Sequence, residues 1–404
     1  MNTHQIRQRD RLLSRSYCFI LAANFLLYFG FYLLMPVFPF FLVEEFGVSK
    51  GAVGAMLACY TVAALAIRPF SGYLLDTFAR KPLYLLSFCI FTLIFGGYVI
   101  TGTILMFIVL RIVHGLSFGT VTVAGNTIVI DITPSSRRGE AVGYYGLANN
   151  IAMSLGPMTG LFMHDHTSFN VIFMTAMGCC LAGLVFAACV RTVKKEPAPR
   201  TAVSLDRFIL LKGIPLGIDL MLLSIPYGMT TTYVAMYAQS IGITGGTGIF
   251  FTFMAIGLAI SRLFSGRQVD HGHITDVIHI AFYPVILCFL SLFLCEKAAG
   301  ISIRTAEIML YSTALILGAG FGTMFPAFNT MFVNLGRHDQ RGTATSTYLT
   351  SWDIGIGIGL VLGGMIGERS SFSYAYLAGA FLSVISLIGF VFYAAPHFKR
   401  NRME

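Results

Sequence analysis

The 404-residue chain is 56% hydrophobic and 11% charged, against about 25% charged in a soluble domain. At a mean hydropathy of +0.76, so much apolar surface calls for lipid rather than a larger soluble core. The net charge of +9 is spread over short basic loops between apolar runs, which excludes a nucleic-acid partner, and the eight cysteines sit in or beside those runs without metal-ligand spacing.

A basic head (1–16) precedes an apolar run that lacks a small-residue cleavage site, so the run reads as a retained first span. Twelve spans are expected, near 17–43, 51–72, 83–100, 104–130, 141–163, 169–190, 214–238, 247–266, 276–295, 305–333, 344–366 and 372–394. They divide into a six-helix bundle at 17–190, a charged, proline-bearing linker at 191–213, a second bundle at 214–394 and a tail at 395–404. With the N-terminus inside, the inner segments hold 20 of the 27 Lys and Arg and the outer segments 4, which predicts cytoplasmic termini. The fold class is an all-α polytopic membrane protein.

The first span carries Asn24, Tyr28 and Tyr32 at four-residue spacing, hence on one stripe. Lipid offers such a stripe no partner, so it is expected to line a cavity. The fourth span holds Arg111, which keeps its charge and needs a carboxylate, a carbonyl or an anion nearby. His114, three residues on, shares its face and titrates near neutral pH in its free form. The fifth span carries Gly146, Gly156, Pro157 and Gly160, suited to close helix approach and a bend. The short outer cluster His164-Asp165-His166 can bind metal in principle, but it reads as a solvated turn and no metal is expected.

The seventh span has Asp219, placed at a gate or a solvated mouth, and Tyr227. In the eleventh, Asp353 is the tenth residue, about 15 Å in at ~1.5 Å per residue, beside Trp352 and among glycines. A carboxylate at that depth is expensive and therefore a candidate for binding a proton or a cationic group; packing by hydrogen bonds to its helix neighbours is the alternative.

The chain is written twice. R-P-F-S-G-Y-L-L-D at 68–76 returns as R-L-F-S-G-R-Q-V-D at 262–270, an offset of 194. Phe118-Gly119-Thr120, Asn126, Tyr145 and Gly156 return as Phe321-Gly322-Thr323, Asn329, Tyr348 and Gly359 at an offset of 203. Asn150 pairs with Asp353 at that offset, and Asn24 with Asp219 and Tyr32 with Tyr227 at 195. Such symmetry predicts two pseudo-symmetric six-helix bundles.

Twelve spans in two halves, a large central inner loop and the Gly72 to Lys81 segment resemble the major facilitator superfamily over essentially the whole chain. Thr77 and Ala79 depart from that segment's usual basic residue and glycine. The resemblance implies that Gly72 and Asp76, with their repeats Gly266 and Asp270, form a conformational gate motif, with Arg80 and Asp131 in its charge network. Arg111 to Gly119 resembles the family's R-x-x-Q-G-x-G pattern, with His114 at the Gln position and Ser117 at the second glycine. Gly156-Pro157 to Gly160 resembles the G-P-x-x-G motif of antiporters that export their substrate. These resemblances imply a bacterial inner-membrane efflux transporter of the sugar-efflux or drug–proton type, or one similar to exporters of metal-chelating small molecules, driven by the proton gradient, with no cofactor. Asp353, Arg111, His114 and Asp219 would serve proton coupling, and Asn24, Tyr28, Tyr32, Asn150, Tyr227 and Trp352 the substrate cavity. A single chain makes a complete pathway, so a monomer suffices. Proton-linked uptake of a sugar or organic acid, with Arg111 on an anion, is the alternative, and a membrane sensor without turnover another. The sequence has no H-E-x-x-H, no G-x-S-x-G and no G-x-x-x-x-G-K-[ST], so neither an enzyme nor an ATP-driven pump is expected.

Overall fold

The computed structural model describes residues 13–77, 79–134, 137–192, 209–244, 246–270, 273–336 and 341–403. Among them there is no strand, and nearly every apolar run of the sequence is a helix. The helices are α1 (Arg15–Leu34), α2 (Val37–Phe46), α3 (Lys50–Thr77), α4 (Arg80–Val99), α5 (Ile104–Ile132), α6 (Arg138–His166) and α7 (Phe169–Cys189). They continue as α8 (Ile214–Ser240), α9 (Ile249–Asp270), α10 (Ile274–Ile301), α11 (Ile303–Leu335), α12 (Arg341–Arg369), α13 (Phe372–Gly389) and α14 (Ala395–Asn401).

Ten helical stretches among the described residues are long and apolar enough to cross a bilayer. The other two expected spans are helices as well. α6 runs 29 residues but carries Asn149, Asn150, Ser154 and Thr159, and only Ile249–Ser261 of α9 counts as a shorter apolar helix.

The first span is broken. Pro36 has no N–H to donate to Tyr32 O, so although Met35 keeps helical backbone angles, α1 closes with Met35 N donating to Tyr32 O at 3.3 Å. α2 then starts afresh and ends at Gly47, φ 62°, where Val48 N reaches back to Leu42 O at 3.1 Å. That paired closure needs a left-handed residue, and glycine takes it without strain. Hydroxyl caps start other spans: Ser14 Oγ accepts from Tyr17 N at 3.2 Å, Thr103 Oγ1 from Met106 N at 3.3 Å. At the far end, α13 passes through a π turn, Phe390–Ala394, into α14. Pro396 withholds the N–H that would bond Phe392 O, and Ala395 N instead reaches Phe390 O. The expected tail is therefore helical as far as Asn401.

Two compact units result: Met1–Met35 with Val62–Arg200, and Pro36–Thr61 with Thr201–Glu404. In the first unit α1 packs on α6 and α7, and α4 on α5 and α7. In the second α8 packs on α12 and α13, α11 on α9 and α10, and α10 on α13. Residues 36–61 join the second unit through small residues. An added Cβ at Gly364 would stand 3.3 Å from Gly54 N, and Gly51 N donates to Glu368 Oε2 at 2.9 Å. Lys50 Nζ lies 5.2 Å over the Phe372 ring.

Candidate functional site

In the first unit the stripe on α1 exists and divides into two parts. Tyr28 and Tyr32 are half-buried, with ring centroids 6.1 Å apart, and Tyr28 meets Phe118 edge-on at 5.5 Å. Asn24 does not stand beside them as an open wall. It is 2% exposed, donates through Nδ2 to Tyr145 O at 3.2 Å, and also bonds Asn149 Oδ1. Asn24 therefore fastens α1 to α6. Asn150, the expected cavity amide, is half-buried, and among the described residues its side chain takes no hydrogen bond. Two adjacent helical residues point ~100° apart, so only one amide of the doublet can face α1.

Arg111 and His114 lie together inside the unit, 3% and 1% exposed. The buried Tyr98 hydroxyl shares a hydrogen bond of 3.1 Å with His114 Nδ1 and is bonded by Arg111 as well. Phe91 and Phe95 of α4 pack on the imidazole at 4.3 and 4.8 Å. Phe118, one turn beyond His114, stacks on Phe31 at 4.9 Å, so the aromatic residues connect this polar group to α1. Tyr98 carries no signal of its own in the sequence. It is an aromatic residue at the end of an apolar run, and its role depends on α4 and α5 meeting as a hairpin.

The glycines of α6 differ sharply. At Gly156 an added Cβ would stand 2.8 Å from Leu33 N and Tyr32 Cβ, so α6 crosses α1 there with no room for a side chain. Pro157 and Gly160 are buried beside it. Gly146 meets nothing within 4 Å, so it makes no close approach, and the expected role in helix packing does not hold for it.

At the gate motif, Arg80 of α4 forms an ion pair with Asp131 of α5, and its Nε donates to Leu75 O at 3.4 Å. The segment read as a loop continues α3 to Thr77, and its repeat continues α9 to Asp270. The side chains of Asp76 and Asp270, with Gly72 and Gly266, lie outside the described residues.

In the second unit Tyr227 and Trp352 belong to one packed aromatic cluster. Tyr227 lies 4.9 Å from Trp352, 5.0 Å from Phe321 and 5.3 Å from Phe325, and Phe325 meets Trp352 edge-on at 3.9 Å. Tyr227 is 2% exposed, and its hydroxyl has no partner among the described residues. Asp353 follows Trp352 and is half-buried. Asp219 is 3% exposed and contacts α13 rather than a solvated mouth. His164 and Asp165 approach to 3.8 Å, and no group of three metal-ligating side chains occurs among the described residues.

A family model for the Major Facilitator Superfamily matches residues 20–354 and 220–402. The chain is 22% identical to the staphylopine export protein of Staphylococcus aureus, over 90% of this chain and 92% of that one. It is 25% identical to the quinolone resistance protein NorA of the same species, over 89% and 92%. Among solved structures, a POT family transporter in complex with a thioalcohol-conjugated peptide matches with a TM-score of 0.79 at 14% identity, over 95% of this chain and 96% of that one.

Proposed function

The chain belongs to the Major Facilitator Superfamily, and from that premise we propose that it exports a small organic solute in exchange for protons. Membership makes it a multi-pass membrane transporter and not an enzyme. Its substrate class, direction and coupling are our inference. The observation that carries it is the buried Arg111–His114–Tyr98 group, set one turn from the aromatic residues that reach α1. A charge held inside a span is costly, so a buried guanidinium with an imidazole and a tyrosine gathered on it is a candidate for function before packing.

In this mechanism Asp353 alternates between protonated and ionised forms as the transporter alternates its access. Arg111 and His114 answer the change of charge in the other repeat. Tyr28, Tyr32 and Asn150, half-buried on α1 and α6, present hydroxyls and an amide to the solute. Two features support export over uptake. Gly156 and Pro157 form the close crossing of α6 on α1, and the named relatives export staphylopine or confer quinolone resistance. The bacterial inner membrane, with both termini cytoplasmic, is the setting proposed from the distribution of Lys and Arg.

The test is accumulation in everted membrane vesicles energised to acidify their interior. A panel of a fluoroquinolone, a disaccharide and an amino-carboxylate metal chelator is offered. Export predicts uphill entry of at least one of them into everted vesicles, abolished by a protonophore. Entry into right-side-out vesicles alone would establish the uptake alternative.

A further inference from the structure

Asp219, expected from the sequence to serve proton coupling, takes no step in the proposed exchange, and its surroundings give it a role in packing. It lies in the second turn of α8, buried, and its Oδ2 has no hydrogen-bond partner among the described residues. The wall in front of it is α13. Ser386 Oγ donates to the Asp219 carbonyl at 3.0 Å, and an added Cβ at Gly389 would stand 2.7 Å from Asp219 Oδ1. Gly389 is the residue that makes room for the carboxyl. The π turn begins at the next residue, with the Phe390 ring 5.7 Å from both Phe282 of α10 and Phe328 of α11.

Elsewhere around this end of α8, Ser351 of α12 lies against Gly217, and Phe332 of α11 lies against Gly213 just before the helix, neither of them charged. α2 also packs on α8 and carries Glu44 and Glu45, and α12 carries Asp353 and Glu368. Among the described residues none of these, and no Lys, Arg or His, forms an ion pair or hydrogen bond with the Asp219 carboxyl. At the flank of the crossing His397 Nε2 lies 2.9 Å from the backbone carbonyl of Lys212.

We propose that Asp219 is a proton-binding site inside the second unit, occupied while α13 is seated on α8, and that loss of the proton unseats the π turn and α14. An ionised carboxylate against a glycine wall, with no donor among the described residues, is strongly unfavourable, whereas the neutral acid fits. The π turn is where the helix yields, because it has already left α-helical register and Pro396 supplies no N–H. The second unit thus carries a proton-linked packing switch. It stands apart from Asp353 and does not depend on the direction of transport.

Infrared spectroscopy and amide hydrogen exchange on the purified full chain in nanodiscs test it without any solute. On alkaline titration the wild type is expected to lose a protonated-carboxyl C=O band, and exchange over residues 386–401 to rise on the order of tenfold beyond the intrinsic pH effect. Asp219→Asn is expected to lack the band and the rise, while Asp353→Asn keeps both. A band that survives in Asp219→Asn, or the same pH-dependent exchange in it and the wild type, overturns the proposal. Gly389→Ala leaves the carboxyl native and presses a methyl onto it, so residues 386–401 should exchange faster already at neutral pH; unchanged exchange there also overturns it. If the Asp219 results fail while Asp353→Asn abolishes proton-coupled flux, the switch falls and the exporter stands.

Discussion

The two repeats place the same helices around the same aromatic residue and then fill one position differently. Phe118 of α5 and Phe321 of α11 match at an offset of 203, and each stacks in the core of its unit. At that offset Arg111 and His114 correspond to Ala314 and Leu317, both fully buried. The second unit demonstrates that an alanine and a leucine satisfy the packing at this place. The first unit puts a guanidinium and an imidazole there, and Tyr98 bonds both. Packing alone does not require that charge, which is what makes the pair a candidate for function. Asn24 and Asp219 differ in the same manner, the amide bonded across α1 and α6, the acid without a donor among the described residues.

Writing the second unit's residues into the first is the hardest test of this contrast. The double variant Arg111→Ala/His114→Leu should insert and fold as a monodisperse helical protein, yet lose roughly a hundredfold in solute-driven flux. Flux within twofold of wild type would leave the asymmetry without functional meaning. Smaller effects separate the two glycines of α6. Gly156→Leu must push aside the backbone and Cβ of α1 and should cost about 1–3 kcal/mol, read as a lower melting temperature in detergent. Gly146→Leu, with open space in front of it, should stay within about 0.5 kcal/mol. Equal losses at both would mean that α6 does not cross α1 at Gly156.

The polar partners rank after these. Asn24→Ala leaves Asn149 unanswered and should cost about 1–3 kcal/mol, whereas Tyr227→Phe removes a hydroxyl without a partner and should be neutral or stabilising. A clear loss in Tyr227→Phe would mean that the hydroxyl has found a partner, and the second aromatic cluster would no longer be a purely apolar counterpart of the first. The smallest effect is expected at Arg80→Ala. Its ion pair with Asp131 is partly exposed and should contribute under about 1 kcal/mol to stability, whatever it does for the transport cycle.

The architecture was legible because the repeat is long and the spans are apolar, so offsets of 194 to 203 match helix to helix from spacing alone. Arg111, His114 and Asp219 could be named because a charge inside hydrocarbon is rare and shows at once. Which face each residue takes was not legible. Asn149 and Asn150 are neighbours in sequence but lie on different sides of α6, and only the crossing with α1 selects between them. Tyr98 joins His114 across a hairpin whose register no local pattern encodes. Gly389 gains its importance from a carboxylate 170 residues earlier in the chain, a relation that spacing along one helix cannot reveal. Pro36 is the opposite case, since the break it imposes on the first span follows from its missing N–H alone.

The central claim is that a carboxylate in the second repeat couples solute movement to protons. It is tested most directly by reconstituting wild type and Asp353→Asn in liposomes, imposing a pH gradient, and following its dissipation as solutes are added. The account predicts solute-dependent proton flux in the wild type and none in Asp353→Asn, with downhill solute exchange retained in both. Equal proton flux in the two proteins would contradict it and remove Asp353 from the proton path.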